Sequence, residues 1–217
     1  SGGKRIKMTK VKICGLQRKE DINYLNELKP DYGGFVFAKS NRQVSLSRAR
    51  ELIGLLDKSI KTVGVFQDEK VEKVIYAAEY LNLDVIQLHG SENESYIKKM
   101  EGLKVWKAVA VDIETSTLMS SIDYETEGIL LDSQITGIIG GTGLSFDWNI
   151  ITKLNIKKKL ILAGGLNCEN IENAISKAKP YAVDVSSGVE ENGIKSYVKL
   201  KKFIDKVRNG KIGRAHV

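Results

Sequence analysis

Two polar side chains stand at the ends of apolar runs where chemistry could take place. Asp132 closes the run GILLD, a partly buried position that suits a carboxyl group to general-acid work. Cys14 closes the run VKIC, in which Lys12 also interrupts an otherwise apolar strand, and packing alone does not explain that composition. Each residue has an ordinary alternative that is left equally open. Asp132 could be a turn or capping residue, and Cys14 a small buried hydrophobe.

A guanidinium and an imidazole follow two other apolar runs. Arg42, in AKSNRQVS, is either a surface residue or a fork for a substrate carboxylate. His89, in QLHG, is a weaker candidate because the sequence indicates no partner for it. The other histidine is His216, near the end of the chain, so the sequence lacks the histidine-rich ligand set of a catalytic transition-metal site. We predict that no metal is bound.

Small residues follow the last two apolar runs, in LAGGLN and VSSGVE. They would let backbone N–H groups approach a bound anion closely, and two serine hydroxyls could add donors. For a single glycine there, a tight turn would be the favoured explanation. The two loops together favour a phosphate site, formed by Gly164, Gly165, Ser186, Ser187 and Gly188.

A longer glycine-rich stretch, IIGGTGLSFDW at 138–148, comes shortly after Asp132. It is either a flexible connection or a lid that closes over substrate. Its proximity to Asp132 favours a functional loop, whose backbone would bend around the ligand at Gly140, Gly141, Thr142 and Gly143.

The elements that must position these residues alternate in type along the chain. Eight apolar runs are continuous rather than alternating, which is typical of strands covered on both faces. Their starts are roughly 20 to 30 residues apart, the length of one βα unit. Eight units predict a single-domain (β/α)8 barrel in the α/β class, with a doubly wound open sheet as the competing architecture. Helices are predicted over 20–29, 46–58, 69–81, 93–100, 113–122, 147–154, 168–178 and 195–207.

Composition limits the classes of function. The formal charge of +7 is spread over helical segments without interleaved aromatic residues, which favours attraction of phosphorylated small molecules over nucleic-acid binding. No apolar run is long enough for a membrane span, and the start of the sequence lacks a signal-peptide core. Two unpaired cysteines fit a reducing compartment, so we expect a cytoplasmic protein without a membrane partner.

The two ends look foreign to the fold. SGG at residues 1–3 and GRAHV at about 213–217 resemble vector-derived tails. We therefore expect the barrel domain to occupy residues 9–207. Few prolines and no Ser/Gly-rich linker argue against an internal domain boundary.

The loop sequences resemble those of the phosphoribosylanthranilate isomerase family. KICGL, GFVFAKSNRQVS, GVF, QLHG, LLDS with GGTGLSFDW, LAGGLN and VDVSSGVE occur in the family's order and approximate spacing, over residues 9 to about 207. The resemblance implies a (β/α)8 barrel in the tryptophan pathway. It further implies an Amadori rearrangement of N-(5-phosphoribosyl)anthranilate to 1-(2-carboxyphenylamino)-1-deoxyribulose 5-phosphate, with neither a metal nor an organic cofactor.

The resemblance also assigns roles to individual residues. It implies that Cys14 is the general base and Asp132 the general acid. It places Arg42 at the anthranilate carboxylate, Asp184 in contact with the substrate, and the two glycine-rich loops at the phosphate. We expect His89 to belong to the substrate-binding residues as well. The partner it implies is a phosphorylated aminosugar, and the family includes both monomers and homodimers.

A thiol base must lose its proton, and Lys12 is the nearby residue whose charge bears on that loss. Two residues before Cys14 on the same strand, Lys12 should point to the same face, toward the barrel interior. Its charge could stabilise the thiolate, or it could pair with a barrel carboxylate; the sequence leaves both open.

The chain departs from the family pattern at three positions. Leu144 and Ser145 replace the usual Lys and Thr, which puts any substrate role of the side chain at 144 in doubt. Ser196 replaces the usual Asp at a helix start, where Ser can still act as a cap.

Three other functions remain as alternatives. The histidine-pathway isomerase performs the same rearrangement on another aminosugar, but it uses an aspartate base in the first strand, so Cys14 discriminates against it. A non-catalytic phosphate-binding barrel would need neither Cys14 nor Asp132. A nucleic-acid partner, suggested only by net charge, is the weakest alternative.

Overall fold

The computed structural model describes residues 8–134 and 143–210, which contain eight parallel strands closed into a barrel. Consecutive strands pair in chain order, the fourth pairs with the fifth, and the eighth returns to the first. The barrel therefore has no open edge, which excludes the doubly wound alternative and confirms the (β/α)8 prediction. The strands are β1 (Lys10–Cys14), β2 (Tyr32–Val36), β3 (Lys61–Phe66), β4 (Val85–Leu88), β5 (Val105–Asp112), β6 (Gly128–Gln134), β7 (Lys159–Leu162) and β8 (Ala182–Val185).

The helices form where apolar residues recur with helical spacing, and each lays its apolar face on the barrel. Ser45 and Asn93 cap the starts of two of them by accepting backbone N–H bonds. A 3₁₀ helix, Trp148–Lys153, occupies the sixth connection. The α-helices in the described residues are α1 (Lys19–Leu28), α2 (Leu46–Leu55), α3 (Val71–Leu81), α4 (Glu94–Lys98), α5 (Ile171–Ala178) and α6 (Tyr197–Asn209).

Two helix predictions need correction. The segment 113–122 is not helical: it turns back, and Thr117–Leu118 forms a short antiparallel strand against β5. The cause is Asp112, whose Oδ1 accepts the N–H groups of Glu114 and Thr115, both at 2.9 Å, and so offers the backbone an alternative to helical bonds. Ser196 does occupy the residue before α6, but its side chain makes no capping bond.

The barrel interior changes in character along its axis. Apolar side chains fill the end where the strands begin, and Tyr32 packs edge-on against Trp106 with ring centroids 5.0 Å apart. Toward the carboxyl ends of the strands the interior becomes polar, with Lys12 and Gln87 fully buried. A second apolar layer, between the strands and the helices, completes the core. The polar end is therefore where a site can form.

The loops after β7 and β8 pack directly on each other. Gly188 lies in a 3₁₀ turn, Ser187–Val189, and a Cβ at this position would overlap the carbonyl oxygen of Leu166. A short hairpin follows, Glu190–Glu191 with Ile194–Lys195, and its turn residues Asn192 and Gly193 both have positive φ. Among the described residues, no helix is long and apolar enough to cross a membrane.

The contact at Gly188 yields a stability prediction. Gly188→Ala should lower the free energy of unfolding by about 1–3 kcal/mol, because the new methyl group meets backbone that cannot rotate away. Urea unfolding followed by circular dichroism measures the change.

Gly54→Ala is the matched control for this substitution. Gly54 is exposed in α2 and a Cβ there would meet nothing within 4 Å. The same change should stabilise by about 0.5–1 kcal/mol through helix propensity. Equal unfolding midpoints for the two variants would contradict the close packing of the two loops.

Candidate active site

Cys14 lies at the carboxyl end of β1, beside Gly34 of β2. The two residues are paired in register, and a Cβ on Gly34 would come within 2.8 Å of Cys14 Sγ and 3.0 Å of Lys12 Cε. Gly34 thus leaves the space in which the thiol and the lysine stem lie together. Both side chains point into the barrel, as their two-residue spacing on β1 predicts.

At both Cys14 and Lys12, burial and the neighbouring charges of opposite sign shift the pKa in opposite directions. Burial raises the pKa of the Cys14 thiol above its ordinary value, and the positive charges of Lys12 and Lys195 only partly offset it. Burial also disfavours the charged form of Lys12, but the carboxylate of Asp184 and the neighbouring Cys14 outweigh it and raise the pKa of the ammonium. Lys12 is therefore charged, and the thiol predominates over the thiolate at neutral pH.

Lys12 occupies both of the environments that the sequence left open. Its Nζ lies 3.0 Å from Asp184 Oδ2 on the neighbouring β8, so it pairs with a barrel carboxylate, and it also lies beside Cys14. It donates a further bond of 2.7 Å to Gln87 Oε1 on β4. The second carboxylate oxygen of Asp184, Oδ1, is buried and has no hydrogen-bond partner in the described part of the chain.

Asp132, at the end of β6, meets His89. The Nε2 atom of His89 lies 3.0 Å from Asp132 Oδ2, and its Nδ1 lies 2.9 Å from Gln87 Nε2. The expectation that His89 lacks partners is wrong, because both partners come from the barrel interior, one of them from a strand distant in sequence. Asp132 Oδ1 faces Gly164, where a Cβ would come within 2.6 Å of it.

A buried ion pair outside the barrel holds the loop that carries His89. Lys107 Nζ lies 3.3 Å from Glu92 Oε2 and donates a 2.6 Å bond to the carbonyl of Gly90. Glu92 in turn accepts the N–H groups of Gly90 and Asp68, at 2.9 and 2.8 Å. Because the N–H and the carbonyl of Gly90 are both hydrogen-bonded, the backbone next to His89 is held in place at the mouth.

A second polar network lines the rim between β1, β2 and β8. Arg42 forms a bidentate pair with Glu190, with both N–O distances 2.8 Å, and Lys195 Nζ reaches Glu190 Oε1 at 2.7 Å. Lys195 also bonds the carbonyl and hydroxyl oxygens of Ser186, and the Ser186 hydroxyl donates to the carbonyl of Cys14. Arg42 is therefore tied into this rim network and is not a free surface residue.

The predicted phosphate residues lie close together at the mouth. Gly164 and Gly165 both have positive φ, and Gly165 sits against the backbone of Leu144, whose carbonyl accepts a 2.5 Å bond from Ser133 Oγ. Ser187 is exposed at the start of the 3₁₀ turn, beside Ser186. Of the predicted loop, Gly143 has positive φ, and a Cβ there would meet no atom of the described residues within 4 Å, whereas Gly140, Gly141 and Thr142 lie outside the described residues.

Sequence reasoning missed three members of the site. Glu190 and Lys195 belong to the hairpin whose Asn192–Gly193 turn is a recognisable signal, so that element could have been found. Gln87 carried no such signal, since a buried amide within an apolar run does not reveal its partners. Residues 8–134 and 143–210 contain no cluster of three or more side chains suited to holding a metal ion.

Comparisons with known proteins agree with this architecture. The family model described as N-(5'phosphoribosyl)anthranilate (PRA) isomerase matches residues 11–206. An N-(5'-phosphoribosyl)anthranilate isomerase from Thermoanaerobacter pseudethanolicus is 51% identical over 201 residues, covering 93% of this chain and 98% of the relative. One from Clostridium acetobutylicum is 49% identical over 210 residues, with coverages of 94% and 100%.

Solved structures give the same result. The phosphoribosyl anthranilate isomerase of Thermotoga maritima superposes with a TM-score of 0.83 at 39% identity, covering 93% of this chain and all of that one. Another, solved in complex with reduced 1-(o-carboxyphenylamino)-1-deoxyribulose 5-phosphate, has a TM-score of 0.80 at 37% identity with the same coverages. The resemblance noted in the loop sequences is thereby confirmed. The chain belongs to the N-(5'-phosphoribosyl)anthranilate isomerase family, and it is an isomerase of tryptophan biosynthesis.

Proposed function

We propose that this chain rearranges N-(5'-phosphoribosyl)anthranilate with Cys14 as general base and Asp132 as general acid. The observation that carries the proposal is that both side chains occupy inner-facing positions near the carboxyl ends of barrel strands and open onto one mouth. Cys14 lies beside the buried Lys12, and Asp132 Oδ2 lies 3.0 Å from His89 Nε2. The complex of a 37% identical relative with a reduced carboxyphenylamino-deoxyribulose phosphate supports a ligand of this class.

The first step opens the sugar ring. Asp132 donates a proton to the ring oxygen, the bond from that oxygen to C1 breaks, and the nitrogen lone pair forms the C1=N bond of a protonated Schiff base. A carboxyl group suits this step because it can hold one proton within hydrogen-bond reach of the leaving oxygen. The resulting Asp132 carboxylate is stabilised by the contact of its Oδ2 with His89 Nε2.

The second step moves a proton from carbon. The Cys14 thiolate removes the C2 proton, the C–H electrons form a C1=C2 bond, and the C1=N electrons return to nitrogen to give an enolamine. Proton loss from the C2 hydroxyl and protonation at C1 then yield the ketone. Lys12 stabilises the thiolate that this step needs, since its charge lowers the pKa of a thiol that burial raises.

The rest of the mouth supplies binding groups. Asp184 Oδ1, buried and without a partner in the described residues, is an acceptor for a sugar hydroxyl. Arg42, held in orientation by Glu190, directs the remaining N–H groups of its guanidinium to the anthranilate carboxylate. The loops at 164–165 and 186–188 hold the phosphate with backbone N–H groups and the exposed Ser187 hydroxyl, since the Ser186 hydroxyl donates to the Cys14 carbonyl.

Removing either proton-transfer group should abolish most activity. Cys14→Ser and Asp132→Asn should each lower kcat by about 10²–10⁴-fold, because a hydroxyl is too weak a base and an amide has no acidic proton to give. Turnover of freshly generated phosphoribosylanthranilate, followed by decay of its fluorescence, measures both.

Matched controls test whether the loss is specific to the site. Cys168→Ser makes the same change at a buried thiol that donates to the Lys199 carbonyl. Asp31→Asn makes the same change at a carboxylate that precedes β2 and lies at the other end of the barrel. Both should retain wild-type turnover. Full activity of Cys14→Ser would exclude the thiol as base. Turnover of the histidine-pathway aminosugar, without turnover of phosphoribosylanthranilate, would favour the other isomerase.

The raised pKa of the Cys14 thiol predicts a pH dependence. A base acts only when it is unprotonated, so kcat/KM should rise with pH from neutrality into the alkaline range, up to the pKa of the thiol. Lys12→Met removes a charge that lowers this pKa, so the rising limb should move to higher pH.

Alkylation of Cys14 at a series of pH values measures the thiol directly. The experiment uses Cys168→Ser as background, so that Cys14 is the only thiol. A thiol pKa that is the same with and without Lys12 would contradict the electrostatic role and leave Lys12 only as the partner of Asp184.

A further inference from the structure

The polar side chains inside the barrel form one continuous row of hydrogen bonds across the mouth. From Asp184 it passes through Lys12 Nζ, at 3.0 Å, to Gln87 Oε1, at 2.7 Å. From Gln87 Nε2 it continues to His89 Nδ1, at 2.9 Å, and from His89 Nε2 to Asp132 Oδ2, at 3.0 Å. The row links the neighbourhood of the proposed base to the proposed acid.

The ammonium of Lys12 sets the direction of the bonds from Gln87 onward. A lysine ammonium has only donors, so the Gln87 atom that faces it is the carbonyl oxygen. The amide nitrogen therefore faces His89 and donates to Nδ1. Turning the amide over would place its NH₂ group against a buried positive charge, because Lys12 and Gln87 are 0% and 1% exposed.

This direction fixes the hydrogen on the imidazole. Nδ1 accepts a bond, so it carries no hydrogen, and a neutral ring must carry its hydrogen on Nε2. That hydrogen points at Asp132 Oδ2, which can then only accept. A proton for transfer to substrate must therefore lie on Oδ1 of the same carboxyl group, the oxygen on the side of Gly164.

We propose that Gln87 is a positioning residue that fixes the tautomer of His89 and thereby reserves Oδ1 of Asp132 for the proton given to the substrate. In the other tautomer, Nε2 would be an acceptor and would draw the proton of Asp132 onto the bond with His89. Gln87 prevents this by occupying Nδ1 with a donor. The proposal rests on the general-acid role of Asp132, but the tautomer itself can be measured independently of activity.

The state of the ring is observable by ¹⁵N NMR. With His216→Ala, His89 is the only histidine of the chain, and its two ring nitrogens report directly which of them carries hydrogen. We expect Nε2 protonated and Nδ1 unprotonated. The opposite tautomer would overturn the proposal, and this measurement requires no change at Gln87.

Gln87→Glu provides the matching perturbation. The side chain keeps its size and its acceptor for Lys12, but it presents a carboxylate oxygen to Nδ1 where the amide presented a donor. We expect Nδ1 to become protonated and kcat to fall at least about tenfold, as for a misdirected general acid. An altered tautomer with unchanged turnover, or an unaltered tautomer, would overturn the proposal.

Gln67→Glu is the control for added charge. Gln67 directly follows β3, the neighbour of β4, and is exposed, so the Gln67→Glu variant should retain both the wild-type tautomer and the wild-type turnover.

Gln87→Met is the variant to use if Gln87→Glu does not fold. It removes the donor without adding charge and should give a mixture of tautomers with reduced kcat; a single wild-type tautomer there would count against Gln87. If Asp132→Asn proved active, the acid assignment would fail while the tautomer result still stood.

Discussion

The buried ammonium group of Lys12 is the constraint on which the site depends. A charge removed from water has to be neutralised and hydrogen-bonded, since an unpaired buried ion is strongly destabilising. Asp184 supplies the opposite charge and Gln87 supplies a carbonyl oxygen. The requirements of one side chain on β1 thereby orient side chains on β8 and β4. Because Cys14 lies on the same face of β1, its thiol experiences the same charges.

Two more buried lysines at the mouth are likewise paired with a carboxylate and hydrogen-bonded. Lys195 is 4% exposed and its contacts with Glu190 and Ser186 fasten the hairpin after β8 to the end of that strand. Lys107 is 2% exposed and holds the β4 loop from outside the barrel. Each lysine donates to a backbone oxygen and pairs with a buried carboxylate. The loops that carry the polar groups are therefore stiffened by charge pairing, while the helices and strands are held by apolar contact.

The sequence predicts the barrel well because strand order in this fold follows chain order, and continuous apolar runs mark each strand. It fails at 113–122, where the side chain of Asp112 competes with helical hydrogen bonds, an effect that periodicity does not register. The residues at the strand ends are correctly placed at one mouth. Their pairing is not predictable, because Gln87 meets Lys12 only through closure of the barrel. The same holds for the pKa of Cys14, which depends on how completely the thiol is buried.

Asp184 Oδ1 has no hydrogen-bond partner among the described residues, and its proposed role as acceptor for a sugar hydroxyl has a consequence for substrate selectivity. The fold itself buries this oxygen, so in the proposed role an incoming hydroxyl would meet an acceptor that folding has already removed from bulk solvent. A ligand that lacks the hydroxyl at this point leaves the oxygen as it was and gains nothing. Sites that rely on such a buried acceptor can discriminate against the deoxy analogue by as much as about 10⁴–10⁵-fold. Asp184 would then distinguish sugars by the presence of a single oxygen atom, with no need for a steric barrier.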